Sequence, residues 1–156
     1  MAAPRVGLGF DVHARDEGRP LWLGGVRFEG EAGLAGHSDG DAVCHAVADA
    51  LLGAAALGDI GTHFPESDPA LAGLAGAVLL ARTVALVATA GLRPASCDVT
   101  VICERPSVAP RREEMRAALA AALEAPVDAV SLKATRPEGL GLAGDGAGCL
   151  ALAVLV

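Results

Sequence analysis

The 156-residue chain sets 12 Lys and Arg against 19 Asp and Glu, a formal net charge of −7. It contains no basic run, which excludes the cationic stripe that nucleic-acid binding needs. Its length fits one domain. At 53% hydrophobic residues but only 3% aromatic ones, the core must be built from small side chains, and self-association would add burial that such a core lacks.

In chain order, RVGLGFDVH (5–13) reads as a short strand ending in polar residues. LWLGGVRF (21–28) reads as two short strand pieces broken by Gly24-Gly25. A helix is expected over 39–56, capped by Ser38 or Asp39, with Ser38-x-x-Asp41 resembling a capping box. GDIGTHFPESDP (58–69) is a loop with room for one helical turn. A second helix follows to about Ala90, stopped by Gly91 and Pro94. The segment 71–92 is long enough to span a bilayer, but Arg82 and its many Ala, Gly and Thr residues mark it as a buried helix, not a membrane span.

ASCDVTVICE (95–104) has the β-branched content of a strand, Pro110 opens a third helix over 110–124, and VSLKAT (130–135) is again a strand. GLGLAGDGAG (139–148) is either a phosphate cradle or a strand-to-strand glycine turn. CLALAVLV (149–156) closes the chain as a buried strand. The order β-β-α-α-β-α-β-β predicts a single α+β domain over 1–156, a mixed sheet with helices packed on one face. The N-terminus lacks the pattern of a secretory signal. Cys44, Cys97, Cys103 and Cys149 are too scattered for a zinc knuckle or disulfide framework, so reduced, buried thiols in the cytoplasm are expected.

Asp11 and His13 sit at i and i+2 of a strand, so they face the same side. His45, early in the first helix, is a candidate third ligand. Two imidazoles and a carboxylate suit a catalytic Zn²⁺ with an open position and equally a non-haem iron; without a third ligand the pair is simply solvated or hydrogen-bonded. His37 and Ser38 precede the helix, where either an anion is bound or Ser38 and Asp39 only cap the helix. Asp49, four residues after His45, either orients an imidazole or is a surface carboxylate.

Taken together, GFDVH, LGGV, GHSDGDAVCHAVADALLGAAALGDIGTHFPESDP, DVTVI and KAT..E.LG occur in an order that resembles the 2-C-methyl-D-erythritol 2,4-cyclodiphosphate synthases of the non-mevalonate isoprenoid pathway. The resemblance implies a homotrimer with its sheets facing the threefold axis and active sites between subunits. It implies Zn²⁺, or another divalent metal, on Asp11, His13 and His45, and substrate phosphate at His37 and Ser38, with Asp11 and His13 also near the substrate. Asp59-Ile60-Gly61 and Phe64, Pro65, Glu66, Ser67 and Asp68 would line the methylerythritol part. Cys103, Pro106, Ser107, Val108 and Ala109, with Ala134, Thr135 and Leu142, would hold the cytidine diphosphate moiety. Glu138 would help hold Mg²⁺ or Mn²⁺ on the diphosphate. The implied reaction turns 4-diphosphocytidyl-2-C-methyl-D-erythritol 2-phosphate into the cyclic diphosphate and CMP. Such a small-molecule substrate leaves no role for nucleic acid or a membrane.

The chain departs from that family at three places. Where the family reads K-A-T-T-T-E, this chain has Lys133-Ala134-Thr135-Arg136-Pro137-Glu138, so Arg136 replaces a phosphate-contacting threonine and either supplies charge or points away. Asp145 replaces an arginine and Ser107 a lysine. These losses motivate an alternative, a non-catalytic trimer that binds an isoprenoid or nucleotide diphosphate. An iron oxygenase on the same three ligands is a third reading, with nothing else in the chain to suggest oxygen chemistry.

Overall fold

The computed structural model describes residues 3–141 and 145–156. Strand β1 (Arg5–Leu23) turns at Gly24-Gly25 into β2 (Val26–Leu34). Helices α1 (Ala42–Ala55), α2 (Ile60–His63) and α3 (Gly76–Thr89) follow, then β3 (Pro94–Cys103), α4 (Arg112–Leu123), β4 (Val130–Thr135) and β5 (Gly146–Leu155). One sheet runs β2-β1-β5-β3-β4. Only the β3–β4 pair is parallel. α1 lies on β1 and β5, α3 packs on α1, and α4 packs on α3 and β4. The expected α+β sheet with helices on one face is what forms.

Small residues explain how close α1 comes to the sheet. Gly7 and Gly9 of β1 face it, beside Ala153 and Ala151 of β5. A Cβ on Gly9 would fall inside the contact distance of the Ala46 carbonyl oxygen and 2.8 Å from the Ala50 nitrogen. α1 is apolar almost all round and almost wholly buried, as befits a central helix. The strand period of two then puts Asp11 and His13 on the same helix-facing side as Gly7 and Gly9, midway along β1 and towards the start of α1.

Several boundaries differ from expectation, each for a nonlocal reason. The cap of α1 is Asp41, not Ser38 or Asp39: its Oδ1 accepts from Val43 N (3.1 Å) and Cys44 N (3.0 Å). The same carboxylate accepts from Gly24 N (2.8 Å) and Gly25 N (2.7 Å) at the β1–β2 turn, where both glycines have positive φ (61° and 76°). Fully buried, Asp41 thus ties the hairpin to the helix, with bonds to a charged acceptor worth about 1.5–3 kcal/mol each. Asp39 instead accepts from Gly76 N (2.8 Å) and starts α3. α3 begins at Gly76, after a short 3₁₀ turn at Pro69–Leu71. Pro110 lies in a second such turn, Ala109–Arg111, which leads into α4.

The last strand is buried on one face only. Ala147, Cys149, Ala151, Ala153 and Leu155 are inside, while Leu150 and Leu152 are each 41% exposed. Opposite them on β1, Val6, Leu8, Phe10 and Val12 are exposed as well. Where β1 and β5 pair beneath α1, Gly7, Gly9, Ala151 and Ala153 face inward and Leu8, Phe10, Leu150 and Leu152 face outward.

The four cysteines are buried and unpaired. Burial pushes the Cys97 thiol up to about 12, and burial also holds Cys44 and Cys149 well above the ordinary thiol range. At pH 8 the thiolate fraction of Cys97 is then about one part in ten thousand. A disulfide-exchange thiol reagent is expected to leave Cys44, Cys97 and Cys149 unlabelled in the native protein and to label all three after denaturation; fast native labelling of any of them would contradict this packing.

Candidate metal centre

Asp11 Oδ2, His13 Nε2 and His45 Nδ1 converge. Oδ2 lies 2.6 Å from His13 Nε2 and 3.3 Å from His45 Nδ1, and the two ring nitrogens are 3.2 Å apart. His13 and Asp11 are each about four-fifths shielded and His45 is buried. The far nitrogen of each ring is engaged. His13 Nδ1–H donates to the Ala35 carbonyl (2.7 Å), and His45 Nε2 lies 3.1 Å from Ser38 Oγ. The Ala35 carbonyl selects the His13 tautomer whose Nε2 lone pair points at Asp11, and a Ser38 hydroxyl that accepts from His45 Nε2–H leaves the Nδ1 lone pair facing Asp11, the usual outer arrangement of metal-bound histidines.

Asp11 Oδ2 itself is buried without an aligned hydrogen-bond donor. An orphaned carboxylate oxygen between two imidazole lone pairs is a costly arrangement unless a cation completes it. All three donors lie within 4.8 Å of one another, and one carboxylate with two imidazoles fits a divalent transition metal. Burial raises the Asp11 carboxyl, but the His13 and His45 rings outweigh that and hold it below its ordinary value. Burial lowers His13, yet the Asp11 carboxylate and the Ala35 carbonyl raise it overall. Both directions favour the charged forms of Asp11 and His13, and a metal ion on these donors competes with protons for them.

The cluster opens into a cavity of about 130 Å³ that His37, Ser38, Ile60, Phe64 and Glu66 also line. His37 Nε2–H donates to the Asp68 carbonyl (2.9 Å), which fixes its ring against the 64–68 loop. The α1 amides do not face this cavity's contents, because Asp41 takes them; side chains of His37 and Ser38 form that wall instead. Asp49 neither orients His45 nor lies idle: its Oδ1 accepts from Ile60 N (2.8 Å) and anchors α2. Leu71, Leu74 and Leu79 complete the cavity; reading 71–92 only as a helix gave no signal for them.

A second cavity, about 180 Å³, brings together Cys103, Pro106, Ser107, Val108, Ala109, Ala134, Thr135 and Arg136 with Arg112. Arg136 thus lines this wall and does not point away from it. The two cavities share no lining residue. Asp59, Gly61, Pro65, Ser67, Asp68 and Glu138 line neither; Asp59 caps α2 through Thr62 N (2.9 Å), and Asp68 caps the Pro69–Leu71 turn. Glu138 is exposed, and Leu142 lies outside the described residues.

An α+β sheet with a His/His/carboxylate cluster at a cavity floor is the architecture of an enzyme with a candidate metal site. More particularly, the chain belongs to the YgbB family, whose model matches residues 4–156. It is 53% identical over 149 residues to a 2-C-methyl-D-erythritol 2,4-cyclodiphosphate synthase of Salinibacter ruber, covering 96% of this chain and 95% of that one. To the synthase of the same name in Chloroherpeton thalassium it is 50% identical, covering 96% of each. Among solved structures it resembles a 2C-methyl-D-erythritol-2,4-cyclodiphosphate synthase in its CDP-bound form, with a TM-score of 0.89 and 36% identity over 97% of this chain and 100% of that one. No helix among the described residues is long and apolar enough to cross a membrane.

Proposed function

We infer that this chain is a cyclising, CMP-releasing phosphorus–oxygen lyase, and that residues 1–156 serve as one synthase domain. It converts 4-diphosphocytidyl-2-C-methyl-D-erythritol 2-phosphate to 2-C-methyl-D-erythritol 2,4-cyclodiphosphate in the non-mevalonate pathway. The observation that carries this reading is the convergence of Asp11, His13 and His45 at a cavity walled by His37 and Ser38, in a chain about half identical to synthases of that name.

In this reaction an oxygen of the 2-phosphate attacks the β-phosphorus. The bond from that phosphorus to the oxygen bridging the α-phosphate breaks, and CMP leaves with that oxygen; no water is consumed. The chain's task is to hold two anionic groups in line, which removes much of the entropic barrier. Asp11, His13 and His45 would hold a divalent ion, Zn²⁺ in this reading, which would supply positive charge against the phosphates. Ser38 Oγ, which accepts from His45 Nε2, keeps its own proton for a phosphate, and His37 holds another oxygen. Asp59, Ile60, Gly61 and the 64–68 loop position the methylerythritol part.

Cys103, Pro106, Ser107, Val108, Ala109, Ala134 and Thr135 hold the cytidine diphosphate, Arg136 supplies charge in place of a threonine, and Glu138 would help hold Mg²⁺ or Mn²⁺, which would neutralise the diphosphate. The protein works in the cytoplasm, where its four thiols stay reduced. The test is to incubate purified protein with this substrate and Mg²⁺ and to measure CMP and the cyclic product together. Equimolar formation of both is expected; no CMP where a control synthase releases it would overturn the assignment.

The working form in this reading is a homotrimer, with the metal cavity of one subunit facing the nucleotide cavity of the next. Its support is the outward apolar face, where Val6 is 60% and Leu8 65% exposed, an unusual load for a monomer surface. Leu8→Glu is expected to give a monomer in size-exclusion chromatography with light scattering, and to lose turnover with the assembly. An active trimer in this variant would contradict the interface.

A further inference from the structure

We propose that Arg19 is a positioning residue of this site, its guanidinium holding the main chain on either side of His37 so that the His37 and Ser38 side chains keep their places against the phosphate. The inference rests on the preceding reading, in which those two side chains hold substrate phosphate. It starts from the backbone that carries them. Residues 36–38 form a bend between β2 and α1 and belong to no helix or strand, so their polar groups need partners from elsewhere. The successive carbonyls of residues 35–38 are all engaged. Ala35 accepts from His13 Nδ1 (2.7 Å), and His37 accepts from Gly73 N (2.8 Å). The carbonyls of Gly36 and Ser38 both accept from one side chain: Arg19 Nη1 donates to Gly36 (2.7 Å) and Nη2 to Ser38.

Arg19 reaches the bend because the β1–β2 ladder is interrupted beside it. Asp16 pairs with Gly33 and Pro20 with Ala32, which leaves Glu17, Gly18 and Arg19 without partners in register. Such a bulge bends a strand and re-aims its side chains. Gly18 N donates to Asp16 Oδ1 (3.0 Å) inside it. A Cβ on Gly33 would collide with the carbonyls of Arg19 and Pro20, so a glycine there lets the bulge fold down onto β2. Among the described residues Arg19 forms no ion pair. Its charge is directed at two neutral carbonyls instead, which makes both bonds charge-assisted. The other flank of the bend is held by main chain, where Asp39 N donates to the Leu74 carbonyl (3.1 Å). With both flanks fixed the bend cannot pivot. Removing the guanidinium frees one flank, while the three metal donors stay on β1 and α1, outside the bend.

The test compares the full-length protein with Arg19→Ala and Arg19→Lys in steady-state CMP release, at zinc and Mg²⁺ concentrations that saturate each variant. Arg19→Ala is expected to lower kcat by roughly tenfold to a hundredfold, as a small misplacement of a transition-state contact does, and to keep KM within about twofold. Arg19→Lys keeps the charge without the fork and should recover only part of the loss. Free guanidinium ion, far below denaturing concentrations, should raise turnover of Arg19→Ala several-fold, and ammonium at the same ionic strength should not. Amide hydrogen exchange separates positioning from stability: in Arg19→Ala the amides of Asp39 and Gly73 should exchange roughly tenfold faster while those of α1 stay unchanged. Wild-type kcat in Arg19→Ala, a loss that guanidinium does not relieve, or α1 amides that loosen equally would overturn the role of Arg19 alone. A wild type that releases no CMP overturns this role together with the reaction on which it rests.

Discussion

Asp11→Asn and His45→Ala are each expected to lower bound metal from one ion per chain to nearly none and to cut CMP release by roughly a thousandfold, at the upper end of what one transition-state-stabilising group is worth. Asp11→Asn changes almost no volume, so its loss would report chemistry and not packing. It replaces the one anionic donor, whose Oδ2 lies within 3.3 Å of both ring nitrogens. Ser38→Ala makes a graded companion. It removes the hydroxyl beside His45 Nε2 but none of the three donors, and outer partners of this kind are worth about 10–100-fold in metal affinity. Metal content by mass spectrometry and turnover on the same preparations would check all three. Full metal and full turnover in Asp11→Asn would contradict the site.

Gly9→Ala is expected to destabilise the protein by about 3 kcal/mol or more, because overpacking against rigid backbone leaves nothing flexible to yield. The added methyl meets the Ala46 carbonyl and the Ala50 nitrogen, so α1 must lift from β1. His45 precedes Ala46 on that helix, and lifting it draws the imidazole away from Asp11. Lower stability in chemical denaturation should therefore come with weaker metal binding. Gly53→Ala on the same helix is the control: a Cβ there meets nothing within 4 Å, and a helical Gly→Ala change should stabilise by about 0.5–1 kcal/mol. If Gly9→Ala behaved like Gly53→Ala, the close approach of helix and strand would be disproved.

The convergence of Asp11, His13 and His45 was readable in the sequence because its geometry is mostly local. Asp11 and His13 share a face by strand period alone, and only the docking of α1, which brings His45 to them, is nonlocal. Docking was less readable, since its determinant is the absence of side chains at Gly7 and Gly9. The cap of α1 was misplaced because Asp41 is chosen by the amides of Gly24 and Gly25, sixteen and more residues away. β2 runs on to Leu34 past Glu29-Gly30-Glu31, a stretch with no strand pattern and no partner in register on β1; pairing resumes beyond it, Ala32 with Pro20 and Gly33 with Asp16. In CLALAVLV the hydrophobic run reads as buried on both faces. Only the structure shows that its large members Leu150 and Leu152 face outward and its small ones inward.

X-ray absorption at the metal edge of the zinc-loaded protein addresses the centre most directly, because rival sulfur ligands stand close by: Cys149 pairs with Asp11 across the sheet and Cys44 precedes His45. Asp11, His13 and His45 as ligands require a shell of nitrogen and oxygen only, at about 2.0–2.2 Å, with the multiple-scattering signature of two imidazoles. A zinc–sulfur distance near 2.3 Å, or a spectrum with no imidazole signature, would place the ion elsewhere and remove the basis of the assignment.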